Sequence, residues 1–181
     1  VSYPTTGSIE RLSDGIDRLI AQDAELEILA EGYEWSEGPV WVPQGEYLLF
    51  SDIPNNSIMK WKEGEGASLY LKPASFGGES FEGKEPGSNG LMLDEQGRLV
   101  LCQHGDRRIA RMAASLDNPA PEYETVVGTY DGKRLNSPND LAFSRNGDIY
   151  FTDPPYGLPG GADSEAKELD FQGVYHYTET S

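Results

Sequence analysis

EGPVWVPQGEYLLFSD (Glu37–Asp52) is one of three variants of a single segment in this chain. The other two are NGLMLDEQGRLVLCQH (Asn89–His104) and NDLAFSRNGDIYFTD (Asn139–Asp153). Each begins with a carboxylate or amide residue, and each has a glycine eight positions further on: Gly45, Gly97 and Gly147. The three starts lie 52 and 50 residues apart. A repeat of about 40–50 residues built from short strands is typical of the blades of a β-propeller.

The composition is that of a folded, strongly acidic protein. The 181 residues are 37% hydrophobic, which is enough for one globular domain with a core. Fourteen basic residues against 31 acidic ones give a net charge of -17, which argues against nucleic-acid binding by clustered Lys and Arg. No apolar run approaches the roughly 20 residues that span a bilayer, so we expect no membrane partner. We predict a soluble protein, cytoplasmic or periplasmic, and the sequence leaves its oligomeric state open.

The pattern predicts an all-β fold preceded by a short N-terminal helix. Apolar residues recur on one face of residues 8–22, which predicts the helix, and residues 26–30 have the pattern of a strand. We assign residues 1–32 to this lead and residues 33–181 to a partial propeller of about three blades. Because propellers typically close with four to eight blades, three blades predict the N-terminal part of a longer ring, with assembly of two short chains as the alternative.

The predicted blades leave two long segments without strands, residues 76–88 and 154–170. These segments are either functional loops or exposed variable connections, and the sequence does not decide between the two. The predicted strands are 39–42, 47–50, 57–61 and 68–71 in the first blade, 90–93, 98–103, 108–112 and 124–127 in the second, and 141–144, 148–152 and 173–177 in the third.

The residues at the repeat starts are Glu37, Asn89 and Asn139. Because the innermost strand of each blade lines the central channel, we expect these three residues to converge at one channel mouth. Carboxylate and amide oxygens are hard donors that suit Ca²⁺ or Mg²⁺. The alternative is that these residues only form turns where the strands begin.

Four stretches together resemble the senescence-marker-protein, gluconolactonase and luciferin-regenerating-enzyme family, and within it they are most similar to bacterial gluconolactonases. They are EGPVW (Glu37–Trp41), NGLMLDEQGRL (Asn89–Leu99), QHGDRRI (Gln103–Ile109) and SPNDLAFSRNGDIYFTDPPYGL (Ser137–Leu158). EGPVW alone is moderately specific, whereas the ordered set is strong.

The resemblance implies a six-bladed propeller that hydrolyses a sugar lactone with a divalent cation in its channel. The cation of this family is usually Ca²⁺, and Mg²⁺, Zn²⁺ and Mn²⁺ are the other candidates. The resemblance assigns Glu37 as a metal ligand and Asn139 as a ligand of the metal or substrate. The family's further ligands, an Asn and an Asp from later blades, fall beyond Ser181.

Two residues are candidate catalytic residues. His104 ends the second repeat and can contact substrate or assist proton transfer, with turn stabilisation as the alternative. Asp153 ends the third repeat and is a candidate catalytic residue at the pocket edge. The alternative is that Pro154 and Pro155 only set rigid loop geometry there.

Four further residues are candidates for substrate binding. Asn89 faces the channel and binds substrate or shapes the channel wall. Arg107 binds a hydroxylated or anionic ligand or pairs with carboxylates. Asp140 orients Asn139 or caps the turn, and Tyr156 borders the pocket.

This set of residues predicts a metal-dependent lactonase. A bound cation polarises the ring carbonyl and activates water, so no Ser or Cys nucleophile is required. Two alternatives stay open: a non-catalytic propeller that binds a protein or small ligand, and a related metal-dependent esterase or phosphotriesterase-like hydrolase.

Overall fold

The structure is a computed structural model that describes residues 2–179. The helix predicted over residues 8–22 is shorter than expected, because only Asp14–Arg18 form a helix, and it is of the 3-10 type. Leu12 and Leu19, from the predicted apolar face, are 85% and 86% exposed. A longer helix would therefore gain no burial, and most helical stability in proteins comes from packing.

The prediction of a strand at residues 26–30 is wrong. Glu27 forms only an isolated antiparallel bridge with Thr5, within the lead itself. The lead is held against the first blade by the ring of Tyr3, whose centroid lies 5.8 Å from that of Trp61.

The first blade is a four-stranded antiparallel sheet in simple meander order. Its strands are β1 (Ser36–Val42), β2 (Tyr47–Asp52), β3 (Ser57–Lys62) and β4 (Gly66–Leu71). The second blade repeats this order, and a small hairpin follows it. Its strands are β5 (Ser88–Leu93), β6 (Leu99–Gln103), β7 (Arg108–Met112) and β8 (Tyr123–Val127), and the hairpin is β9 (Thr129–Tyr130) with β10 (Lys133–Arg134).

The third blade has three strands in the described part of the chain. They are β11 (Leu141–Phe143), β12 (Ile149–Asp153) and β13 (Gly173–Tyr177). A short 3-10 helix, Gly161–Asp163, interrupts the long loop between β12 and β13. The all-β fold and its three blades are confirmed, whereas the division at residue 32 stays a prediction.

The core consists of two apolar layers, one on each side of the second blade. Strand β6 shows why both exist, because its side chains alternate between the two faces of the sheet. Leu99 and Leu101 join the layer shared with the first blade, while Val100 and Cys102 join the layer shared with the third. All four are fully buried, so the second blade is packed on both faces. No helix among residues 2–179 has the length and apolar composition required to cross a membrane.

Candidate active site

Glu37, Asn89 and Asn139 occupy equivalent positions in the three blades. Glu37 pairs with Ser51, the next-to-last residue of β2. In the third blade, the backbone N–H of Asn139 donates to the carbonyl of Thr152, the next-to-last residue of β12, at 2.9 Å. Asn89 follows Ser88, which pairs with the last residue of β6. All three repeat starts therefore lie at the same end of successive innermost strands.

Direct backbone contacts join these three starts. Gly38 has a positive φ of 55° and packs against the carbonyl group of Asn89. The N–H of Gly90 donates to the carbonyl oxygen of Asn139 at 2.8 Å. The Asn89 carbonyl also accepts a hydrogen bond from Ser51 Oγ at 2.8 Å. The structure thus brings the three starts together in the order of the blades.

The side chains at these starts make few hydrogen bonds within the described part of the chain. Within residues 2–179, neither the Asn89 amide nor the Asn139 amide makes a side-chain hydrogen bond, and Glu37 Oε2 accepts only a 3.4 Å contact from the N–H of Gly38. These oxygen donors have the chemistry that a hard divalent cation requires. Among the described residues there is no cluster of three or more His, Cys, Asp and Glu that could hold a metal.

A separate cleft is lined in part by Glu37. It has a volume of about 350 Å³, lies between the N-terminal lead and the first blade, and is lined by Tyr33, Phe50 and Trp61 among others. Neither of the two asparagines at the repeat starts lines it. Glu37 is therefore the one repeat-start residue that lines this apolar cleft.

His104 is completely buried and has a carboxylate partner. Its Nδ1 lies 2.8 Å from Oε2 of Glu85, which comes from the long loop before β5. Its Nε2 is buried without a hydrogen-bond partner among the described residues, an arrangement that costs about 1–3 kcal/mol if nothing binds there.

A loop of the third blade covers His104. Ser137 Oγ donates to the carbonyl of Pro154 at 2.6 Å and accepts from the N–H of Gly157 at 2.9 Å. Gly157 lies so close to His104 that a Cβ built on it would be 2.7 Å from the histidine Cβ. Tyr156, next to this contact, is 62% exposed. Tyr156 and His104 therefore belong to the same group of loops, but Tyr156 is exposed and His104 is buried.

Asp153 is a buried anchor for the segment that leads to Asn139. Its Oδ2 accepts the backbone N–H of Asn136 at 2.8 Å, and its Oδ1 has no partner in the described part of the chain. Burial raises the pKa of Asp153, and the hydrogen bonds from Asn136 and Ser137 and the charge of Arg107 oppose that rise. A catalytic role for Asp153 stays a prediction, because its side chain is fully enclosed.

Arg107 and Asp140 are placed by backbone contacts. Arg107 Nε donates to the carbonyls of Leu135 at 2.8 Å and Asn136 at 3.1 Å, and its Nη1 donates to that of Ala166 at 3.0 Å. These bonds fasten a turn of the second blade to the third, and a role in substrate binding stays a prediction. The exposed Asp140 accepts the N–H of Leu141 at 2.9 Å, consistent with a capping residue at the strand start.

Sequence reasoning missed three residues that organise these loops: Glu85, Asn136 and Ser137. Two signals in the sequence pointed to two of them: Glu85 falls in one of the two long loops, and Ser137 begins one of the stretches that carry the family resemblance. The contacts of all three are between segments that are 17 to 35 residues apart, and no local pattern reveals such pairs.

Comparisons with known proteins agree with this architecture. A sequence profile described as SMP-30/Gluconolactonase/LRE-like region matches residues 35–180. The chain is 41% identical over 173 residues to a gluconolactonase of Zymomonas mobilis, which covers 94% of this chain and 48% of that protein.

Solved structures give the same result. The structure of a gluconolactonase from Xanthomonas campestris superposes with a TM-score of 0.77 at 32% identity, covering 97% of this chain and 55% of that one. A luciferin-regenerating enzyme shares the fold at 13% identity, with a TM-score of 0.54 and coverage of 84% and 46%. The chain therefore spans about half the length of the relatives it matches.

Proposed function

The chain belongs to the SMP-30/gluconolactonase/LRE-like family, and from this we propose that it supplies part of the site of a lactonase that hydrolyses a sugar lactone. The observation that carries the proposal is the convergence of Glu37, Asn89 and Asn139 at one end of three successive innermost strands. Their side chains make no competing hydrogen bonds to other side chains within residues 2–179, so they can serve a ligand. The 41% identity to a gluconolactonase supports a cyclic ester as that ligand.

A divalent cation fits this donor set. Glu37 would supply a carboxylate oxygen and Asn139 an amide oxygen, both hard donors that suit Ca²⁺, with Mg²⁺, Mn²⁺ and Zn²⁺ as the other candidates. When bound, such a cation polarises a carbonyl and lowers the pKa of a bound water.

The chain's own residues would position the lactone. Asn89 lies beside Asn139 and can donate its amide N–H groups to a substrate hydroxyl, which also provides specificity for a sugar. Tyr156 is exposed beside Gly157 and is a candidate for contacting the sugar from the solvent side. Hydrolysis consumes one water, breaks the ring ester C–O bond and yields an open-chain hydroxy acid. Arg107, Asp140 and Asp153 hold the backbone around these groups, and any contact they make with substrate remains part of the proposal.

The decisive experiment measures hydrolysis of glucono-1,5-lactone by the protein that carries this chain. We expect Glu37→Gln and treatment with a chelator each to lower kcat/KM by about 100-fold, because each weakens the proposed cation site. The matched control is Glu34→Gln, since Glu34 is an exposed carboxylate three residues away and makes no side-chain hydrogen bond within residues 2–179. Added Ca²⁺ is expected to raise the Tm of the native protein and not that of Glu37→Gln.

The outcomes separate the alternatives. Lactone hydrolysis that survives both the chelator and Glu37→Gln would refute the cation site while leaving the lactonase. Binding of sugars without turnover would indicate a non-catalytic propeller. Turnover of simple esters but not of lactones would indicate a related esterase.

A further inference from the structure

His104 is a polar residue at a position that is apolar in the other two blades. In the first blade the equivalent residue is Ile53, which is 1% exposed. The equivalence follows from the backbone, because Ile53 N–H donates to the carbonyl of Trp35 at 3.2 Å and His104 N–H donates to that of Gly87 at 3.1 Å, each just before the blade's first strand. The third blade has Pro154 at this position. Packing alone therefore does not explain a histidine here.

Two loops enclose the imidazole, and one of them supplies its partner. Glu85 lies in the long loop before β5 and contacts Nδ1 at 2.8 Å. The same loop touches the loop after β12, since a Cβ built on Gly83 would lie 3.2 Å from the carbonyl oxygen of Gly157. The latter loop in turn lies against the histidine. The imidazole is thus held on both sides, and its Nε2 is the ring nitrogen without a partner in the described part of the chain.

We propose that Glu85 is a positioning residue that fixes the tautomer of His104, so that Nδ1 carries the proton and Nε2 keeps a lone pair that can accept a hydrogen bond from a water or hydroxyl group admitted between the two loops. A carboxylate can only accept a hydrogen bond, so its partner Nδ1 must be the donor. In a neutral histidine, the hydrogen bond that one ring nitrogen makes determines which of the two nitrogens carries the proton. The catalytic consequence of this inference rests on the proposed function, whereas the tautomer of His104 does not depend on it.

The consequence for lactone hydrolysis is a proton route. Nε2 is enclosed between the two loops, so a lactone and a water would reach it only where these loops part. As that water adds to the lactone carbonyl carbon, Nε2 would take one of its protons. The ring C–O bond then breaks, and the departing ring oxygen receives that proton to become a hydroxyl group. His104 returns to its neutral state, Glu85 stays bonded to Nδ1 throughout, and the net reaction is the addition of one water.

The first test reads the tautomer by ¹⁵N NMR of the full chain with labelled histidine. The sequence contains two histidines, so His176→Asn leaves His104 as the single reporter. We expect a protonated Nδ1 and an unprotonated Nε2 in the parent, and migration of the proton to Nε2 in Glu85→Ala. The matched control is Glu82→Ala, which removes an exposed carboxylate from the same loop and is expected to leave the tautomer unchanged. A parent with the proton on Nε2, or a Glu85→Ala variant with an unchanged tautomer, would overturn the proposal.

The second test measures kinetics in the protein that carries this chain. We expect Glu85→Ala to lower kcat by about 10- to 100-fold with KM almost unchanged, and His104→Gln by about 100-fold or more. Glu85→Gln keeps an oxygen that accepts from Nδ1 and is expected to restore most of kcat. Loss of kcat in Glu85→Gln equal to that in Glu85→Ala would contradict the tautomer argument. If the protein hydrolyses no lactone at all, the proposed function fails while the NMR result still decides the role of Glu85.

Discussion

Gly38→Ala is the substitution that most directly tests how the repeat starts pack. Gly38 has a φ of 55°, in the left-handed region where a side chain is disfavoured. Its Cα faces the backbone of the next blade, so a Cβ would fall on the carbonyl oxygen of Asn89 and within 2.8 Å of its carbonyl carbon and 2.9 Å of Gly90 Cα. Since all three contacts are with backbone atoms, no side chain can rotate out of the way.

The magnitude follows from two separate costs. Placing alanine in the left-handed region costs about 1–2 kcal/mol. Ordinary contact begins at 3.4 Å, so the Asn89 carbonyl oxygen and the built Cβ must move apart by more than an ångström, and forced overpacking of this kind costs about 1–3 kcal/mol. We therefore expect the free energy of unfolding to fall by about 2–5 kcal/mol, a large part of the about 5–15 kcal/mol of a typical domain.

The assay is urea denaturation followed by tryptophan fluorescence, with Gly97→Ala as the matched control. Gly97 has a φ of 75° and nothing within 4 Å of a built Cβ, so it bears the backbone cost without the contact. The difference between the two variants isolates the contact between blades. If Gly38→Ala and Gly97→Ala lose the same stability, the close approach of Gly38 to Asn89 does not exist in solution and the convergence of the repeat starts must be abandoned.

Two further predictions concern the buried residues behind the site. Because burial raises the pKa of Asp153 above 3.8, the folded state keeps its proton to higher pH than the unfolded chain, so the contribution of Asp153 to stability is largest in acid and falls as pH rises through the folded pKa. We expect the unfolding free energy of the parent minus that of Asp153→Asn to fall from about pH 4 to about pH 7 in urea titrations, because only the parent has a carboxyl group that ionises there, and a rise over this range would contradict the sign. Arg107→Ala is expected to lower the free energy of unfolding by about 2–4 kcal/mol, because three carbonyls lose a charged donor, with Arg107→Lys recovering only part of it. Thermal denaturation measures this loss, and a loss under about 1 kcal/mol would show that the contacts of Arg107 are not structural.

The blades could be predicted because strand patterns are local. Alternation of apolar side chains with period two appears in β6, where neighbouring residues supply opposite faces of the sheet. The N-terminal lead shows the limit of such patterns. Residues 8–22 have the apolar spacing of a helix, but Leu12 and Leu19 meet no partner surface, so only a 3-10 turn forms. Periodicity predicts which face could be buried and does not show whether anything covers it.

The candidate site also has features that the sequence predicts and features that depend on packing. The spacing of the repeats identified Glu37, Asn89 and Asn139 as equivalent positions, and the backbone register agrees. The repeat spacing gave no sign that Arg107 donates to backbone carbonyls of Leu135 and Ala166, because these contacts join segments far apart in the chain.

What the amino-acid sequence by itself determined was the number of blades, their strands and the chemical character of the residues at their starts. Strand patterns depend on near neighbours, and the repeat at intervals of 52 and 50 residues can be read from the sequence without any knowledge of packing. Only the tertiary structure decided three other features. Glu85 contacts the ring of His104, Gly38 packs against the carbonyl of Asn89 in the next blade, and Asp153 is buried. Those outcomes depend on how long loops and separate sheets pack against one another, and burial and hydrogen bonding across such distances are properties of the packed chain rather than of any segment in it.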